Sequence, residues 1–322
     1  MLLSSLHHSE EPPALSPALL HPQLGPAPSL AVGDSFYWNG VKPGTNQSWV
    51  KQWAERYGVF EQGSPLYNVP FLSVMGNHDY GNTDKWATCP HRKTGAKVVG
   101  GQAYASTQFN ADKNPERPGF TTNFWLPDYN YHYSLPAASL ELIAVDMNMM
   151  GMESDYPWGI GGDSTGHEEC FASCGGWKAV RDFLYKVGKS GEELLVERAK
   201  RSSATTVVII NHYPTQGRRL KTLFEVAQMT FRRSAPGQQV RLSKVLTTYG
   251  HTHHQACHGK NEEGECDVVM SGGGGGCCKG DIPYTRPGFS AVHLKDDGGF
   301  TTDVEGVEVS LDQSGRGASC RW

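Results

Sequence analysis

Four short segments of the chain concentrate side chains that bind metals or move protons. They are Gly33-Asp34-Ser35-Phe36-Tyr37, Gly76-Asn77-His78-Asp79, Asn211-His212-Tyr213-Pro214 and Gly250-His251-Thr252-His253-His254. Each alone has an ordinary reading. An aspartate after a strand caps a helix or makes a turn, and a single histidine before Tyr-Pro is commonly a satisfied core residue. Together they form a coherent donor set. His251 and His253 are two residues apart, so in an extended segment they project to the same side. Asp, Asn, Tyr and three His mix hard oxygen with borderline nitrogen, which suits iron, zinc or manganese better than calcium or magnesium. A tyrosinate favours a hard trivalent ion such as Fe(III). The donors are too many for one four-coordinate ion and suit two ions bridged by a carboxylate, the arrangement that hydrolyses phosphoesters.

Each of the four segments follows an apolar run of strand length: SLAV, PFLSVM, TTVVII and KVLTTY. In open α/β sheets, function collects at the carboxyl ends of strands, so the segments are placed to meet. Gly76 is expected to let the chain turn without a side-chain clash. Further strand-like runs are LELIAV, DVVMS and FSAVHL. Helical periodicity marks SWVKQWAERYGVF, with Trp49, Val50, Trp53 and Tyr57 on one face, and two later stretches, WKAVRDFLYKVGK and EELLVERAKR. This alternation implies an α/β fold. FWLPDYNYHYSL reads as a packed loop or a short edge strand. Asp146, closing LELIAV, reads as structural, Asp79 as a turn residue or a support just outside the donor set, and His254 as exposed.

At this point the residues carry a resemblance. GDxxY (Gly33, Asp34, Tyr37), GNHD (Gly76 to Asp79), a strand ending in His212 and GHxH (Gly250 to His253), in this order, resemble the motifs of purple acid phosphatases. They are most similar to the small tartrate-resistant type, within the calcineurin-like metallophosphoesterases, and the likeness spans roughly residues 30–310, including the Gly-rich run after VVMS. The resemblance implies a four-layer β-sandwich flanked by helices, with metals at the strand ends. It implies that Asp34 bridges two ions and that Tyr37 and His253 bind Fe(III). Asn77, His212 and His251 would hold a second, divalent ion (iron, zinc or manganese). It also implies that His78 orients phosphate and helps protonate the leaving alkoxide, and that a water activated by the metals attacks the phosphomonoester in line. A non-catalytic or weakly active homologue and a phosphodiesterase of the same superfamily are the alternatives.

One family motif is absent. An Asp-x-Gly strand, whose aspartate binds the iron, is expected some tens of residues before GDxxY, and no aspartate precedes Asp34. The reading is therefore of a fold lacking its first strand, through truncation or through real loss of an iron ligand. Residues 1–29 are Pro-, Ala- and Leu-rich and read as disordered, with residues 30–322 as one metallophosphoesterase domain. The opening stretch does not read as a signal peptide. Eight cysteines in polar or Gly-rich loops fit disulfides in a secreted or lumenal protein, with scattered free thiols as the alternative. A net charge of −4 gives no electrostatic reason to expect nucleic acid or an anionic membrane. No apolar stretch approaches the ~18 residues of a membrane helix. Small phosphomonoesters are the expected partners, and the oligomeric state is not legible.

Overall fold

The computed structural model describes residues 28–37, 40–41, 44–64, 66–80, 105–152, 177–234, 244–272, 288–295 and 300–308. Most of the Pro-rich segment, residues 1–27, lies outside them, as do Cys89, Cys170, Cys174, Cys277, Cys278 and Cys320. The fold is mixed α/β. Strands β1 (Ser29–Ala31), β2 (Phe71–Ser73) and β3 (Phe124–Trp125) form a small parallel sheet in that order. A six-stranded sheet has the order β4-β5-β6-β7-β9-β8. Its strands are β4 (Tyr131–Leu135), β5 (Leu140–Ala144), β6 (Thr206–Ile210), β7 (Lys244–Tyr249), β8 (Gln255–Lys260) and β9 (Cys266–Ser271). An antiparallel pair, β10 (Gly288–Leu294) and β11 (Phe300–Glu308), completes the described strands.

The central strands β5, β6, β7 and β9 run parallel, and β4 and β8 flank them antiparallel. Every residue of β5 and β6 is buried, which explains their unbroken apolar runs: a parallel sheet covered on both faces has no solvent side to alternate with. The crossovers are two long helices, α1 (Trp177–Arg201) between β5 and β6, and α2 (Pro214–Ser234) between β6 and β7. They pack on each other, and α2 also lies against β7. No helix among the described residues is long and apolar enough to cross a membrane.

Two expectations change, and one helix was not anticipated. The two helical stretches before β6 are one 25-residue helix, α1. Gly188 and Gly191, inside it, are places of close packing. A Cβ at Gly188 would lie 2.5 Å from the Met149 sulfur, and one at Gly191 would lie 2.7 Å from Asn130 Oδ1. Helix α2 was not legible. Its opening Pro214 and its Gly217 look like breakers, yet proline is suited to the first helical turn, and a Cβ at Gly217 would fall into the Tyr249 ring. Around Trp49–Ala54 the helix is wound as a π-helix. Trp49 and Trp53 are buried, but Val50 is 37% exposed and lies off that face.

Asp146 is structural. Its carboxylate accepts from Tyr80 Oη at 2.6 Å, from Asn148 N at 2.9 Å and from Asn148 Nδ2 at 2.8 Å. Asn148 Nδ2 also reaches the Met75 carbonyl at 3.0 Å, and Tyr131 Oη donates to the Ser73 carbonyl at 2.8 Å. These bonds, with one apolar core drawing on both sheets, fix the end of β2 relative to β4 and β5. Cys257 and Cys266 are disulfide-bonded across β8 and β9, with Cα atoms 5.7 Å apart.

Candidate metal centre

The four segments leave the carboxyl ends of β1, β2, β6 and β7, two from each sheet, and their side chains converge. Asn77 Oδ1 lies 3.0 Å from His212 Nε2 and 3.1 Å from His251 Nδ1, and those two nitrogens are 3.1 Å apart. Asp34 Oδ2 is 3.3 Å from His212 Nε2. On its other side the same oxygen accepts from Tyr37 Oη at 3.0 Å, and Tyr37 Oη lies 2.8 Å from His253 Nε2. Asp34 therefore stands between two groups of donors. His78 backs onto them: its N–H donates to Asp34 Oδ1 at 2.9 Å, and its ring centre is 4.5 Å from that of Tyr37. All seven residues singled out in the sequence are brought together.

The backbone at this junction is tight. Asp34, His251 and His253 have φ of 55°, 76° and 49°, left-handed values that cost a non-glycine residue of order 1 kcal/mol or more each. The 251–253 segment is thus a sharp loop, not the extended ribbon the spacing suggested. Its first imidazole turns to Asn77 and His212, and its second turns to Tyr37. Gly33 has φ 90°, and a Cβ there would sit 2.6 Å from His212 Nδ1. Gly76 needs its hydrogen for proximity and not for a turn, because a Cβ would run into the Asp34 carboxylate and backbone. Asp79 ties the two loops. Its Oδ2 accepts from Gly76 N at 2.8 Å and from Ser35 N at 3.4 Å, while its Oδ1 is buried with no hydrogen-bond partner among the described residues. His254 is half-buried and bonds the Thr252 carbonyl through Nδ1 at 2.8 Å.

Proton counting tests whether this set fits a cation. A carbonyl only accepts, so the 2.8 Å contact between His212 Nδ1 and the Val32 carbonyl places a proton on Nδ1. In the neutral ring, Nε2 then offers a lone pair to the cluster. Asp34 Oδ2 and Asn77 Oδ1 also offer lone pairs, so the hydrogens open to the four atoms are one on His251 Nδ1 and, when the ring is charged, one on His212 Nε2. The other three atoms lie 3.0, 3.1 and 3.3 Å from His212 Nε2, and such a gathering of electron-pair donors fits a positive ion, with a proton on Nε2 taking that place when no ion is bound. Asp34, His212 and His251 form a group whose ligating atoms all lie within 4.8 Å of one another. The Tyr37 side differs: its phenol donates to Asp34 and accepts from His253, so that side is closed by its own hydrogen bonds.

The electrostatics follow the same lines. Burial pushes the Asp34 carboxyl up, but His212, His78 and His251 outweigh it and hold the group well below the usual carboxylate range. Burial disfavours charge on His212, and the adjacent Asp34 carboxylate more than offsets it, so its pKa is raised. Burial, with His212 alongside, pushes His251 down to about 3, so it is neutral and able to ligate. Burial and then Asp34 push the Tyr37 phenol well above its ordinary value. Burial, then Asp34, lift Asp79 to about 7.

Sequence reasoning missed the Val32 carbonyl that sets the His212 tautomer, for which a side-chain pattern gives no signal, and the contact of Tyr213 with His251. No protein-family model matches the chain, and no curated protein sequence matches it.

Proposed function

We propose that the chain is a dimetal-dependent acid phosphatase of the metallophosphoesterase fold, hydrolysing phosphate monoesters. The observation that carries this reading is the convergence of Asp34, Tyr37, Asn77, His212, His251 and His253 from four strand ends, with Asp34 between two donor groups. Asn77, His212 and His251 would hold the divalent ion (iron, zinc or manganese), Tyr37 and His253 the Fe(III), and Asp34 would bridge. When bound, the ions neutralise charge on the phosphoryl oxygens and lower the pKa of a coordinated water. The chain's own residues do the rest. The Val32 carbonyl holds the proton of neutral His212 on Nδ1 so that Nε2 faces the cluster, Asp79 locks the Ser35 and Gly76 loops together, and the His78 imidazole, beside Tyr37, orients the phosphate and delivers a proton to the leaving oxygen.

A weakly active or non-catalytic homologue holding one ion is the second reading. The closed hydrogen bonds of Tyr37 with Asp34 and His253 favour it.

The deciding experiment measures aryl phosphate hydrolysis at acid pH alongside bound metal per chain, after loading with Fe(III) and Zn(II) or Mn(II). Turnover is expected with two ions bound. His212→Ala and His251→Ala should each abolish it and weaken divalent binding by on the order of 100-fold. Two bound ions without turnover on monoesters would sink the phosphatase reading, and one bound ion without turnover would establish the second. Faster hydrolysis of bis-aryl than mono-aryl phosphate would point instead to a phosphodiesterase.

A further inference from the structure

His251 is held both at its ligating atom and along its ring. Its backbone is left-handed, and its Nδ1 faces the Asn77 oxygen and the His212 nitrogen, both electron-rich. These contacts fix where Nδ1 points, while the tilt of the ring about that atom depends on what packs against its face. Tyr213 borders the same ring. Its own ring centre is 4.5 Å from that of His251 at an interplanar angle of 40°, and 5.3 Å from that of His212 at 85°. Tyr213 is 2% exposed, and Pro214 after it restricts its backbone to extended conformations. Its hydroxyl lies over Gly151, where a Cβ would stand 2.6 Å away. The 250 loop is meanwhile pinned to the same strand end, because Gly250 N donates to the His212 carbonyl at 3.1 Å.

We propose that Tyr213 is a positioning residue which holds the His251 imidazole in its ligating orientation, with Gly151 as the slot that admits its hydroxyl. The inference rests on reading the cluster as a cation site. One stretch, His212-Tyr213, thus supplies a ligand and the support of another ligand. The turn Asn148–Met152, which follows β5, becomes part of the site's scaffold through Gly151. Contacts of this kind, one step out from a metal, typically change affinity about 10- to 100-fold when removed.

The test is Zn(II) affinity by chelator competition, with thermal unfolding of the metal-free proteins as the check on folding. Tyr213→Phe keeps the ring and should bind within about threefold of wild type. Tyr213→Leu removes the ring and should bind roughly 10-fold or more weakly. Gly151→Ala crowds the hydroxyl and should also bind more weakly. The double variant Gly151→Ala with Tyr213→Phe should recover, because the crowded oxygen is gone. That rescue separates positioning from general packing and does not depend on Tyr213→Leu folding. Wild-type affinity in folded Tyr213→Leu, or no recovery in the double variant, overturns the proposal while leaving the cation site in place. No Zn(II) binding by the wild-type chain overturns both.

Discussion

At the scale of single residues, the side chains that converge were readable from the sequence because their polar atoms recur just after strand ends. What a side chain leans on was not readable. Asp146 shows the difference. The sequence offers an aspartate after a strand, and only the fold reveals that Tyr80 and Asn148 engage it in the interior. Burial pushes its carboxyl up to about 6, against about 3.9 in an unfolded chain. Between those values the folded chain holds a proton that the unfolded chain has lost, so stability falls as pH rises through the window. Two units correspond to about 3 kcal/mol. Asp34, with its lowered pKa, acts in the opposite sense at lower pH, so the informative quantity is a difference. In the metal-free protein, Asp146→Asn should gain on wild type by up to about 3 kcal/mol between pH 4 and pH 7, read by urea unfolding at both values. A difference independent of pH would mean that Asp146 is ionised in the fold throughout.

At the scale of elements, the β-branched runs before the His212 and His251 motifs were legible as strands because burial on both faces leaves a continuous apolar signal. Helices were harder, since glycine and proline have two meanings. In α1, Gly191 looks like a break and is a contact. Asn130 lies against it, held by donating to the Val187 carbonyl and to Ser190 Oγ, both at 2.9 Å, and by accepting from Asp146 N at 2.8 Å. Propensity alone predicts that Gly191→Ala stabilises a helix interior by about 1 kcal/mol. The added methyl would meet Asn130 Oδ1 at 2.7 Å and Val145 Cβ at 3.3 Å, and overpacking of this kind costs about 1–3 kcal/mol. Sterics should win because three hydrogen bonds fix Asn130. The expected outcome is a net loss of stability in urea, while alanine at an exposed position of the same helix is neutral or better. A stabilised Gly191→Ala would show that α1 can shift away from β5.

At the scale of the whole molecule, strand pairing joins residues far apart in sequence, and nothing local encodes it. Thus the division into a three-stranded and a six-stranded sheet had to come from the structure. That division gives the candidate metal centre a second role. Asp34 and Asn77 follow β1 and β2 of the small sheet, while His212 and His251 follow β6 and β7 of the large one. An ion held by all four clamps the two sheets together, and its binding free energy adds to the stability of the fold. At a free concentration 100 times its dissociation constant, a ligand specific to the folded state adds about 2.7 kcal/mol. Zn(II) or Mn(II) should therefore raise the thermal midpoint by several degrees, and a chelator should reverse the rise. His212→Ala should start from a lower midpoint and respond to neither, since it removes the ligand nearest to the other three. Tyr37→Phe, which keeps the ring but removes the phenol from the opposite side of Asp34, should retain the response of a one-ion site. If the wild-type midpoint is indifferent to both metal and chelator, the convergence at the strand ends holds the sheets by hydrogen bonds alone, and the hydrolytic reading falls with the clamp.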